Sequence, residues 1–175
     1  MSLQGSSGPV GTADVVPDEE ALRACCAADA WVHRLQAARP VGSTKELLDL
    51  SDDTVLSLDD PALDQALAAH ARIGERRLGS TTEDRWSRTE QAGALGAGAD
   101  VATRLAEGNR RYEEKFGHVF LIRAAGRTGE EMLDALERRL ENDPATERDV
   151  LRRELAEIVR LRLLAVLTPR PQEGS

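Results

Sequence analysis

His70, Ser87, Glu90 and Gln91 are the side chains of this sequence best suited by type and spacing to acid–base chemistry. His70 closes the run Leu63-Asp64-Gln65-Ala66-Leu67-Ala68-Ala69-His70. Leu63, Ala66, Leu67 and His70 fall at i, i+3, i+4 and i+7, so on a helix the imidazole shares a face with apolar side chains. A histidine on such a face is either a hydrogen-bonded core residue or the floor of a cavity. An imidazole titrates near neutral pH and suits a proton shuttle. A second segment, Trp86 to Ala94, offers the Ser87 hydroxyl, the Glu90 carboxylate and the Gln91 amide within one helical turn. Ser87 and Glu90 also have the spacing of a capping box, and a capped helix start still presents N–H groups toward a pocket. Together the two segments supply a proton-transfer group and hydrogen-bonding groups that could meet in one cavity.

Metal and redox chemistry are poorly served. His33, His70 and His118 stand in unrelated contexts, and no helix-borne His/Glu pair has zinc-site spacing. The two cysteines, Cys25 and Cys26, are adjacent, which strains a disulfide and gives no ligand spacing, so they read as ordinary helix residues in a reducing compartment. The formal net charge is −8 with both signs interspersed, which argues against a nucleic-acid surface. No apolar stretch approaches the ~20 residues of a membrane span, and no signal-peptide pattern is present, so a cytoplasmic protein without a membrane partner is expected.

The elements that must position these groups are helical. Of the 175 residues 41% are hydrophobic but only 3% aromatic, and Ala, Leu, Glu and Arg dominate. Residues 1–16 are small, polar and aperiodic and are expected to be disordered, with one domain over 17–168 and a flexible tail over 169–175. Pro17 and Asp18 open a helix to about Ala38, stopped by Arg39-Pro40-Val41-Gly42. Ser43-Thr44-Lys45-Glu46 starts a second helix through about Ser57, and Asp60-Pro61 opens a third that carries His70. A polar loop over 74–84 precedes a helix from about Ser87, weakened near Gly96. Asp100 to Phe116 continues as helix, with Leu105 and Tyr112 facing inward. Gly117 to Ile122 is buried extended or helical chain with no second strand to pair with. Thr128-Gly129-Glu130-Glu131 caps a helix to about Asn142, and Asp143-Pro144 begins a final helix bearing Leu151, Leu155, Ile158, Arg162 and Leu163. The pairs Arg138-Arg139 and Arg152-Arg153, set among glutamates, read as solvated faces. The expected fold is an all-α single-domain bundle of seven or eight helices.

Five segments in order carry a resemblance. Cys26-Ala27-Ala28-Asp29-Ala30-Trp31 with Arg39-Pro40, then Ala69-His70-Ala71-Arg72-Ile73-Gly74, then Ser87-Arg88-Thr89-Glu90-Gln91 are the first three. Asn109-Arg110-Arg111-Tyr112-Glu113-Glu114-Lys115-Phe116-Gly117 with Val119-Phe120-Leu121, and Ile158-Val159-Arg160-Leu161-Arg162-Leu163, complete the set. Over roughly residues 20–168 the chain resembles the OHCU decarboxylases, which act on 2-oxo-4-hydroxy-4-carboxy-5-ureidoimidazoline between urate and allantoin. Two positions depart from the family pattern: Ala71 stands where a proline follows the histidine, and His118 where a phenylalanine follows Phe116-Gly117.

The resemblance implies a carboxy-lyase giving (S)-allantoin, with His70, Glu90 and Arg162 as catalytic residues. It also implies substrate contacts from Ala71, Ser87, Glu90, Gln91 and Arg162, and from the main chain of Phe120, Leu121, Ile122, Arg123 and Ala124. The substrate's ring C=N can accept the electron pair left by carbon dioxide, so no cofactor and no metal is expected. The partner is a small ureidoimidazoline, and assembly as a homodimer is left open. Arg162 is expected to act on oxygens that gain charge as the C–C bond breaks, or on the ureido carbonyl, since equal binding of ground and transition states would add no rate. The competing readings are a salt-bridged helix arginine at 162, and a helical interaction or ureide-binding module with no turnover.

Overall fold

Capping residues decide where the helices begin. The computed structural model describes residues 13–70 and 98–168, and within them seven helices and no strand. They are α1 (Glu19–Cys25), α2 (Asp29–Ala37), α3 (Thr44–Leu56), α4 (Asp60–Ala68), α5 (Ala99–Phe116), α6 (Gly129–Arg139) and α7 (Pro144–Leu167). Asp18, Ser43, Asp59, Thr128 and Asp143 each accept a hydrogen bond from a first-turn N–H, satisfying donors that a helix start leaves over. Thr128 and Glu131 form a complete reciprocal box, with Glu131 N–H donating to Thr128 Oγ1 at 3.2 Å and Thr128 N–H to Glu131 Oε2 at 2.8 Å. Ser43 makes only half of one, because the Glu46 carboxylate accepts from Gly42 N–H instead. Gly117 ends α5 at φ 77°, a left-handed conformation open to glycine at no steric cost.

Two apolar clusters result. The larger gathers Leu22, Trp31, Leu35, Leu47, Val55, Leu63, Leu67, Leu155, Val159 and Leu163 from α1 to α4 and α7. Trp31 is fully enclosed there, its indole N–H donating to Ser51 Oγ at 3.1 Å. The smaller joins α5 and α6 through Leu105, Tyr112, Met132, Leu133 and Leu136. The α7 helix, 24 residues and about 36 Å long, packs along α3 and supports the larger cluster.

The single helix expected from Pro17 to Ala38 is two. Leu22 and Cys25 of α1 and Cys26 just after it are buried, and the next buried residues are Ala28, Trp31, Val32 and Leu35. The second stripe is one residue out of step with the first; an unbroken helix would turn Asp29 and His33 into the core. Cys26 therefore takes extended backbone (φ −150°, ψ 122°) and restarts the phase. The fold also begins earlier than the expected boundary at residue 17. Val16 is buried, Val15 N–H donates to Val41 O at 2.9 Å, and Arg39 grips Asp14 at 2.8 Å and Val16 O at 3.0 Å. The helix expected from about Ser87 lies outside the described residues.

Candidate functional site

Three of the expected site elements fall within the described residues: His70, Arg162 and the 120–124 segment. Ala71, Ser87, Glu90 and Gln91 lie outside them.

His70 stands two residues beyond the end of α4, not on it. Ala69 N–H donates to Ala66 O at 3.3 Å and His70 N–H to Leu67 O at 2.9 Å, a tightened last turn. Leu63, Ala66 and Leu67 of α4 are buried, and His70 is only 9% exposed. The helix that precedes it, α4, is tied to α2 by a reciprocal pair: Gln65 Nε2 donates to Asp29 Oδ2 at 2.8 Å, and Asp29 N–H donates to Gln65 Oε1 at 2.9 Å.

Arg162 projects from the apolar stripe of α7 beside Ile158, Val159 and Leu163 and is 7% exposed. Its Nη1 donates to the Cys25 carbonyl at 3.5 Å, a group freed by the break after α1. The neighbouring thiols are governed by burial. Cys25 is pushed up to about 12 and Cys26 to about 11, with the Arg162 charge pulling both partly back.

The 120–124 segment has no regular secondary structure, and its side chains alternate between the two clusters. Phe120, Ile122 and Ala124 belong to the smaller cluster with α5 and α6, whereas Leu121 belongs to the larger one. That alternation is the period of an extended chain, so the segment is the seam of the domain. Leu121 thereby shares one cluster with α4, which ends two residues before His70, and with α7, which bears Arg162.

A buried polar network holds the seam. Arg139, expected on a solvated face, is 7% exposed. Its Nη1 donates to Leu121 O at 2.7 Å, its Nε and Nη2 to Glu147 Oε1 at 2.8 and 2.6 Å, and its guanidinium lies 4.6 Å from the Phe120 ring centroid. Glu147, fully buried, also accepts from the Tyr112 hydroxyl and from Asn142 Nδ2 at 2.8 Å. Burial lifts the Tyr112 phenol well above its ordinary range, so it stays a donor. Arg139 completes the stripe Met132, Ala135, Leu136, and Glu147 begins the stripe Leu151, Leu155, so helical spacing alone placed both inside. The Arg138-Arg139 pairing masked that signal.

His118 joins the aromatic group, stacked on Phe116 at 6.0 Å and edge-on to Tyr112 at 5.5 Å. Among the described residues no cluster of His, Cys, Asp and Glu could hold a metal ion, and no helix is long and apolar enough to cross a membrane.

An all-α domain with a buried imidazole at a helix end, a buried arginine and an enclosed extended seam has the makings of a small-molecule enzyme. In solved structures the same fold occurs in an OHCU decarboxylase crystallised in the presence of (S)-allantoin, with TM-score 0.75, 28% identity, and coverage of 87% of this chain and 100% of that one. An (S)-allantoin synthase structure shares the fold at TM-score 0.63 and 16% identity, over 84% of this chain and 48% of that one. The family model for OHCU decarboxylase matches residues 16–164, and the chain belongs to that family. Among relatives, the uric acid degradation bifunctional protein TTL of Arabidopsis thaliana is 32% identical over 83% of this chain. The chain spans 46% of that protein's length. A 2-oxo-4-hydroxy-4-carboxy-5-ureidoimidazoline decarboxylase of Amia calva is 30% identical over 75% of this chain and 76% of its own.

Proposed function

We propose that this chain decarboxylates 2-oxo-4-hydroxy-4-carboxy-5-ureidoimidazoline to (S)-allantoin without a cofactor, in the breakdown of urate. The observation that carries the reading is the match, over the whole of its length, to an OHCU decarboxylase solved in the presence of (S)-allantoin. The chemistry asks for proton control and charge stabilisation. The C–C bond to the carboxylate breaks, carbon dioxide leaves, and the electron pair runs into the neighbouring C=N, whose nitrogen takes a proton. The hydroxyl then gives up its proton as the carbonyl forms, and the adjacent ring carbon is protonated on one face. In this reading His70, with Glu90, moves those protons, and Arg162 stabilises oxygen atoms that gain charge. Ala71, Ser87, Gln91 and the 120–124 main chain hold the ureido group. The same reading extends to a cytoplasmic setting, a small-molecule partner alone, and a homodimer open to sedimentation analysis.

The test is to generate the unstable substrate in situ from urate and follow chiral allantoin by circular dichroism. Added protein should accelerate formation of the (S) isomer. A rate equal to the spontaneous one would leave a helical binding module in place of the enzyme.

A further inference from the structure

Two charged side chains from different helices grip the same edge of the 120–124 segment. Arg139 of α6 donates Nη1 to Leu121 O at 2.7 Å, and Glu154 of α7 accepts the Arg123 N–H at 2.7 Å. Arg127 Nε adds a bond to Arg123 O at 3.0 Å. In extended chain the main-chain groups of alternate residues point to the same side, so residues 121 and 123 are engaged along one edge. Phe120 and Ile122 belong to the other edge. They are 1% and 2% exposed, and among the described residues their N–H and C=O groups make no hydrogen bond. Buried main-chain groups are nearly always paired, so an edge with no partner among the described residues is suited to a ligand that supplies one.

We infer that Glu154 and Arg139 are positioning residues, holding the 121/123 edge so that the Phe120 and Ile122 main-chain groups face a ureide ligand. The alternating N–H and C=O groups of a ureide complement such an edge. The inference rests on the decarboxylase reading. Glu154 is the better handle, because its side chain is 18% exposed while Arg139 shares a buried pair with Glu147. Glu154 also lies 4.0 Å from Arg127 Nη2, so its charge could matter instead of its bond to Arg123.

Three variants separate these roles: Glu154→Leu, Glu154→Gln and Arg139→Lys. Gln keeps an acceptor for Arg123 N–H and loses the charge; Lys keeps a charge beside Glu147 but cannot also span to Leu121 O. Steady-state turnover and amide hydrogen exchange across 119–124, with and without (S)-allantoin, are the readouts. Glu154→Leu should fold, exchange faster at the Arg123 amide, and raise KM about tenfold with kcat within about threefold, as loss of one charge-assisted bond to ground and transition state alike would do. Glu154→Gln should return KM to within about twofold, and Arg139→Lys should follow Leu in direction. (S)-Allantoin should slow exchange at the Ile122 amide in wild type and less so in Glu154→Leu. Unchanged KM in Glu154→Leu despite faster Arg123 exchange would overturn the inference, as would equal impairment of Leu and Gln. If wild type shows no turnover, the decarboxylase reading fails by itself, and the exchange pattern with (S)-allantoin still decides whether the clamp presents the Ile122 edge.

Discussion

Arg139 and Glu147 form a buried ion pair across successive helices, Nε and Nη2 both reaching Glu147 Oε1, with side chains 8% and 0% exposed. Desolvation makes the two charges costly unless each has its partner. Arg139→Met should lower unfolding free energy by about 3–5 kcal/mol, because it strands the Glu147 carboxylate. Joining it to Glu147→Leu should recover much of that loss, although Tyr112 and Asn142 then lose their acceptor. A double-mutant cycle in urea checks this, and strictly additive effects would show the pair to be uncoupled.

His70→Asn separates catalysis from folding. It keeps a polar side chain of similar reach but removes the group able to shuttle protons near neutral pH. Turnover should fall by ~10²–10⁴ while stability changes by about 1 kcal/mol or less. Unfolding of the variant with normal turnover in its folded fraction would make His70 a structural histidine.

His118 should make the fold sensitive to mild acid. Burial lowers its pKa below the ordinary 6.5, the Arg148 charge adds to this, and Val119 O, Asp64 and Glu147 pull the other way. Between the folded and unfolded pKa values the unfolded chain holds the extra proton, so stability falls as pH drops through 6.5 and is full above it. His118→Phe, which keeps the ring stack on Phe116, should flatten the change in melting midpoint between about pH 5 and 7. Parallel curves for the two proteins would sink the assignment.

The cysteines should be silent in the folded protein. With Cys25 raised to about 12 and Cys26 to about 11, the attacking thiolate is scarce near neutral pH, and neither sulfur is open to solvent. A disulfide-exchange reagent should label both only at the rate of unfolding, or at once in denaturant. Rapid native labelling would place a thiol within reach of solvent.

The helix starts were legible because their signals are local: Ser43, Asp59, Thr128 and Asp143 each cap the helix that begins one residue later. Leu105 and Tyr112 face inward as their spacing required, and the Gly117 to Ile122 run is unpaired chain of which Phe120, Leu121 and Ile122 are buried while Gly117 is exposed and His118 and Val119 are half-buried. What failed was charge read by neighbourhood. Arg139 beside Arg138 and glutamates looked solvated, yet burial follows the helical phase, which sets those two residues about 100° apart. Glu154 gave no signal at all, since its partner is a main-chain N–H supplied by a segment that no periodicity describes. Of the candidate site, His70 and Arg162 were visible as polar residues on apolar faces; the anchor of Arg162 was not, because it is a main-chain carbonyl 137 residues away.

In an unbroken helix the Asp29 N–H would donate to the Cys25 carbonyl, four residues back. The interruption at Cys26 splits that bond, and each half is taken up elsewhere: the carbonyl by Arg162, 137 residues away, and the N–H by Gln65, 36 residues away. A contact any isolated peptide could form has been exchanged for two that exist only in the assembled chain. Each exchange closes a long loop at a cost in chain entropy that the local bond would not carry, so the arginine's anchor and the tether of α4 depend on the helices being packed together. A partly folded chain can be rich in helix and still lack both.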